Sequence, residues 1–255
     1  MNRLIIFILI GTVALSACTT DNGSDTVNST QPGATGQAGS MARFTIINDN
    51  LYVLSGNSII TYNLTQSSNP QQLDSIGVKI ISGRVETIFP KDTLLFLGAS
   101  DGMYIYSVNN TKPQYVSRYM HIMACDPVVA DHKYAYVTLR TGTVCPRSIN
   151  QLHVIDITNI YNPTVVKTFS MSNPKGLGLQ NGSLFVCDKK LKVFSVQSNN
   201  DELNMSLFKE FSVYDAHDII PVSNTNRLII TAQDGIYQYT YQDGEIALLS
   251  RIPVL

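Results

Sequence analysis

A fivefold internal repeat constrains this chain more than any other feature. Six-residue stretches with alternating apolar positions recur at Ile59–Leu64 (IITYNL), Met103–Val108 (MYIYSV), Leu152–Ile157 (LHVIDI), Leu191–Val196 (LKVFSV) and Ile236–Tyr241 (IYQYTY). They lie roughly 44, 49, 39 and 45 residues apart. A more hydrophobic stretch precedes each one: LYVLS from Leu51, LLFLG from Leu94, YAYVT from Tyr134, LFVCD from Leu184 and LIITA from Leu228. Ahead of those stand ARFTIIND, VETIFPKD, DPVVADHK, GLGLQNG and HDIIPVSN; after the six-residue stretches come QQLDSIGV, QYVSRYM, TVVKTFSM, MSLFKEFSV and EIALLSRIPV. Asn/Asp/Gly-rich turns such as Asn48-Asp49-Asn50 and Asn181-Gly182-Ser183 join first to second strands, the pattern of tight hairpins. Asn69-Pro70, Lys112-Pro113 and Asn162-Pro163 separate third from fourth strands, because proline fixes φ and cannot donate to a ladder.

Five units of four strands at a period near 44 predict radial repetition: an all-β, five-bladed β-propeller of four-stranded antiparallel blades. A solenoid would need terminal units with a polar outer face, yet the first and last units here read like the others. The chain is expected to start on a first strand (residues 42–49) and end on a fourth (residues 245–254). Closure would then rest on face packing without a strand shared across the ends. Tyr, Ile, Val and Leu are plentiful and tryptophan is absent, which favours strands over helices. A formal net charge of −1, with no basic block, gives no reason to expect nucleic acid as a partner.

The N-terminus has a different character. Arg3, an apolar run from Leu4 to Leu15, and Leu15-Ser16-Ala17-Cys18 have the layout of a secretory signal with a small-residue cleavage site. The run is too short to span a hydrocarbon core of roughly 30 Å. The site resembles a bacterial lipobox, which implies removal of residues 1–17, lipidation of Cys18 and anchoring to a bilayer through its acyl (palmitate-type) chains. Residues 18–40 are polar and Gly/Ser/Thr-rich, the composition of a disordered tether, with a reach of roughly 25 Å for about 22 residues. Residues 41–255 are the expected folded body. Thr19 in place of aspartate after the cysteine points to the outer membrane of the cell envelope.

Leu152-His153-Val154-Ile155-Asp156-Ile157, Asn162-Pro163 and Asn173-Pro174-Lys175-Gly176-Leu177-Gly178 resemble the bacterial LVIVD-repeat lipoproteins. The resemblance covers residues 42–255, is strongest over 124–196, and implies propeller-like repeats and an envelope location but no defined chemistry. Units one, two and five depart from the motif, with Thr, Ser or Gln at its hydrophobic or Asp positions.

Among the cysteines, Cys125 and Cys145 belong to one face of the third unit and are expected to form a disulfide, in keeping with a secreted chain. It would close a loop of about 20 residues and contribute roughly 3 kcal/mol. Cys187 sits on a second strand and reads as a buried free thiol. No CxxC or cysteine–histidine spacing supports a metal, and no cofactor is expected. Strand alternation gathers Arg84, Glu86, Asp126, Lys175, Asp215, His217 and Asp218 at one end of the axis. The insert of residues 140–150, with Arg140 and Arg147, is a candidate recognition loop on the same face. These groups are a possible binding face; alternatively they satisfy one another and the exposed backbone of a narrow channel. Two functions follow. One is a monomeric, non-catalytic binding or scaffold module for an envelope protein or glycan. The other is a five-bladed glycoside hydrolase or other carbohydrate-active enzyme, using two of the carboxyls. Nothing in the sequence supports a quinone-dependent redox propeller.

Overall fold

The computed structural model describes residues 39–121, 127–141, 149–199, 202–213 and 215–254. They form twenty strands in five four-stranded antiparallel sheets arranged in a ring: a five-bladed β-propeller. Blade one is β1 (Phe44–Ile47), β2 (Asn50–Ser55), β3 (Ser58–Asn63) and β4 (Gln71–Gly77). Blade two is β5 (Val85–Lys91), β6 (Leu94–Ala99), β7 (Gly102–Ser107) and β8 (Gln114–Met120). Blade three is β9 (Val128–Ala130), β10 (Tyr134–Leu139), β11 (Gln151–Asp156) and β12 (Thr164–Ser170). Blade four is β13 (Leu177–Gln180), β14 (Ser183–Cys187), β15 (Leu191–Asn199) and β16 (Glu202–Phe211). Blade five is β17 (Ala216–Pro221), β18 (Arg227–Ala232), β19 (Gly235–Gln242) and β20 (Glu245–Pro253).

The turns form as their residues dictate. Asn48, Asp92, Asn181 and Asn224 hold positive φ in the first hairpins of four blades, a conformation that short Asx side chains tolerate. Blade three uses a side chain instead. Asp131 accepts hydrogen bonds from the amides of Lys133 (2.8 Å) and Tyr134 (2.7 Å) and from the Tyr136 hydroxyl (2.8 Å). The outer hairpin of blade four runs past its expected end at Val196, because Gln197–Asn199 continue the ladder against Glu202–Asn204.

Every blade carries a β-bulge on its outer strand. The register of third against fourth strands skips one residue in each case: Leu73, Val116, Val166, Phe208 and Leu249. All five are apolar. The residue after each bulge in blades one to four reaches the next blade. Asp74 pairs with Lys112 (3.4 Å), Ser117 donates to the Ile160 carbonyl, Lys167 donates to the Met205 carbonyl (2.7 Å), and Lys209 pairs with Glu245. Its counterpart in blade five, Ser250, bonds to Gln238 of its own blade (3.2 Å).

The core follows the same pattern. Buried apolar clusters join blade one to two, two to three, three to four and four to five. Phe185 and Val193 of blade four, for example, are sealed completely against Ile219 and Ile230 of blade five. Among the described residues no such cluster joins blade five to blade one. On the face of blade one turned away from blade two, Leu51, Val53, Ile60 and Tyr62 are half-buried and Phe44 is 60% exposed. On the face of blade five turned away from blade four, Ile220 and Ile229 are half-buried, while Ile236 and Ile252 are exposed. β1 and β20 lie in different sheets, so no strand is shared across the ends.

Candidate functional site

The expected axial group separates into three places. On blade two, Arg84 pairs with Glu86 (3.1 Å). Glu86 is the extra residue of a bulge in β5, where Val85 faces Ala99 and Thr87 faces Gly98. His217 holds the matching bulge position in β17, between Ala216 and Asp218. Bulges re-aim side chains out of the ladder, and both residues sit where the first strands begin.

The second place is blade four and its junction with blade five. The Lys175 ammonium meets the Asp215 carboxylate at 2.5 Å, and His217 Nε2 lies 3.2 Å from the other oxygen. The hydrogen bond from Lys175 holds the Asp215 carboxyl below the usual carboxylate range. Asp215 has a φ of 38°, a left-handed conformation uncommon outside glycine. The Lys175 backbone is pinned on both sides: its amide donates to the Cys187 carbonyl (2.7 Å) and its carbonyl accepts from the Thr138 hydroxyl (2.6 Å).

Above this pair opens a cleft of about 560 Å³, lined by Asn173, Lys175, Asp188, Lys189, Lys190, Ser212, Val213 and Asp215. That volume lies within the range of ordinary ligand sites. Asp188 forms its floor, with a fully buried side chain. Burial pushes its pKa up, but hydrogen bonds from the Asn173 and Ser172 amides and from Lys192 outweigh burial and hold it below the usual range. The Lys189 and Lys190 side chains form an exposed rim. Lys190 makes a 3.5 Å contact with Glu210; the Lys189 ammonium has no ion-pair partner among the described residues.

Asp218 is the third place, and it is covered. It accepts from the Ser40 hydroxyl (2.8 Å) and the Met41 amide (3.3 Å). Burial raises its pKa, a shift partly offset by those hydrogen bonds. Arg140 directly follows β10, at the edge of the blade-three insert. Asp126, Arg147, Cys18, Cys125 and Cys145 lie outside the described residues. Cys187 is buried and free, and burial pushes its thiol up. Among the described residues no three His, Cys, Asp or Glu side chains converge as metal ligands. No helix among them is long and apolar enough to cross a membrane.

Asp188 and Ser40 were not singled out from the sequence. A signal for Asp188 existed: units two, four and five all place Asp just after the second strand (Asp101, Asp188, Asp234). Asp101 caps the amides of Ile81 (2.9 Å) and Ser82 (3.0 Å) as Asp188 caps those of Ser172 and Asn173. Ser40 carried no signal, because it stands in a stretch with the composition of a tether.

No protein-family model matches the chain, and no curated protein matches it. Solved structures do. A protein of unknown function from Desulfotomaculum acetoxidans matches with a TM-score of 0.64 at 12% identity, over 86% of this chain and 69% of its own. A protein from Lactobacillus plantarum matches with a TM-score of 0.61 at 13% identity, over 81% and 73%. A periplasmic gluconolactonase from Pseudomonas aeruginosa matches with a TM-score of 0.60 at 15% identity, over 81% and 68%. The shared feature is the fold. At such identities it carries no chemistry from those proteins to this one.

Proposed function

We propose that this chain is a lipid-anchored envelope protein of the LVIVD-repeat type, held at the outer membrane through Cys18. In this reading its propeller is a non-catalytic module that binds a protein or glycan partner in the cleft over blade four. The observation that carries the reading is the state of the charged groups in that cleft. Asp188 and Asp215 are already engaged by internal donors, while Lys189 and Lys190 face solvent. Such a cleft offers cationic and polar contacts to a ligand and keeps its carboxylates occupied. Glycoside hydrolysis needs two carboxyls at a controlled separation across the bond to be cut. Here Glu86 is paired with Arg84, Asp215 with Lys175, and Asp218 is covered by Ser40 and Met41.

A second reading, an enzyme acting on a sugar derivative, draws on two points. His217 is hydrogen-bonded to Asp215 beside the cleft, and gluconolactonases share the fold. The two readings part on substitution. The full chain expressed in bacteria should incorporate radiolabelled palmitate, and Cys18→Ser should not. Detergent-solubilised wild type should retain envelope protein or glycan that a Lys189→Glu, Lys190→Glu variant releases, with Tm unchanged within about 2 °C. Retention equal in both would remove the cleft from the binding reading. Turnover of a sugar lactone or glycoside, abolished by His217→Gln, would replace that reading with the enzyme.

A further inference from the structure

A propeller ring has as many seams as blades, and each must be held. Four seams here have an apolar cluster and a polar bond from the residue after the outer bulge. The seam between blades five and one has neither among the described residues. What spans it is the segment just ahead of β1. Ser40 is completely buried. Its hydroxyl donates to Asp218 of blade five (2.8 Å) and accepts from the Leu177 amide of blade four (2.7 Å). The Met41 amide donates to the second Asp218 oxygen (3.3 Å). The Ala42 carbonyl accepts from the Ile88 amide of blade two (2.9 Å). Four consecutive residues thus tie blades four, five and two to the strand that opens blade one.

The fit is specific. A Cβ at Gly39 or at Gly176 would collide with the Asp218 carboxylate, so both positions require a residue without a side chain. A hydroxyl at position 40 is the right group because it must donate to a carboxylate and accept from an amide at once. Asp218 stands at the inner end of the same unsealed blade-five face that carries Ile229, Ile236 and Ile252.

We propose that Gly39–Ala42 is a latch that holds the ring shut at the seam between blades five and one. The latch comes away as a unit and frees blade five from blade one while the blades themselves stay folded. Its hold is polar, made of a few hydrogen bonds whose net worth is small once water can replace them. Openings of this kind precede global unfolding wherever buried apolar contacts are few.

Amide exchange in the full chain tests it. In Ser40→Ala the Leu177 amide loses its acceptor directly, which tests nothing. The Ile88 amide is the informative probe, because its partner, Ala42, is untouched and its own strand belongs to blade two. A latch that leaves as a unit makes Ile88 exchange about tenfold faster in Ser40→Ala, with amides of β10 unchanged. Ser117→Ala, which removes a bond at a sealed seam, leaves Ile88 unchanged. Ile88 exchange at the wild-type rate in Ser40→Ala overturns the proposal, as does acceleration of Ile88 and β10 by the same factor. Should Ser40→Ala fail to fold, the wild type in low urea serves: Leu177 and Ile88 must exchange together and ahead of β10, and any other order overturns the proposal.

Discussion

His153 gives this protein a built-in sensitivity to mild acid. On β11 its Nε2 lies 2.8 Å from the Gln151 side-chain oxygen and its Nδ1 lies 3.2 Å from the Tyr119 hydroxyl. Both contacts suit a neutral ring with the proton on Nε2, since the amide oxygen only accepts and the tyrosine can donate. Burial, and next the nearby His121, lower its pKa to about 4 from an ordinary value of 6.5. Between about pH 6.5 and 4 the unfolded chain takes up a proton that the folded chain refuses, so stability falls as pH falls through that window and is unaffected above it. The full shift would cost roughly 3 kcal/mol at 1.36 kcal/mol per unit. The ring is only partly buried, and solvent screening reduces this; about 1 kcal/mol between pH 7 and pH 5 is the expected size. Urea unfolding of wild type and His153→Gln at both pH values isolates the effect. The stability of wild type relative to His153→Gln should drop by about 1 kcal/mol on going from pH 7 to pH 5. His121→Gln, which removes the neighbouring imidazole that helps lower the His153 pKa, should shrink that drop. A relative stability independent of pH would refute the reasoning.

Three further outcomes are expected. Cys187 should resist alkylation at pH 8 in the folded protein and react fully in denaturant, because its thiol is buried and its ionisation suppressed; peptide-resolved mass spectrometry reads this. Asp188→Ala strands two amides and removes the nearer carboxylate partner of Lys192, and should lower stability by about 2–4 kcal/mol in urea titration. Gly176→Ala drives a methyl into the Asp218 oxygen that accepts from Ser40, and should cost about 1–3 kcal/mol, whereas Gly77→Ala, with open space around it, should cost less than about 0.5 kcal/mol.

The blade plan was legible because it rests on period-2 alternation and turn chemistry, both local properties of sequence. Strands of LYVLS and LLFLG type, and prolines just before β4, β8 and β12, fixed the number of blades and of strands per blade. The expected site was legible only as a neighbourhood. Lys175, Asp215 and His217 do meet, but alternation places residues at an end of the axis without saying which oxygen faces which nitrogen. Asp218 shows the limit. Its partner Ser40 lies 178 residues away in sequence, within a stretch whose composition signals only solvation. The seam was hidden for a related reason. Leu51, Val53 and Ile60 read like any inward-facing row, and only the neighbouring blade decides whether such a row is covered.

Among the described residues each outer strand, β4, β8, β12, β16 and β20, pairs on one side alone and presents its other edge as a template on which another chain could grow a sheet. The exposed apolar residues Leu73, Val166, Phe208 and Leu249 would make four of these templates adhesive if the strands were flat. Because each of these residues is the extra member of a bulge, the edge bends at an exposed apolar residue, and a straight incoming strand loses register there. Growth of a sheet from one copy onto the outer edge of another is therefore disfavoured at each bulge. Deleting a single bulge residue, which shortens the chain by one apolar side chain, would straighten that edge and make the protein more prone to aggregate.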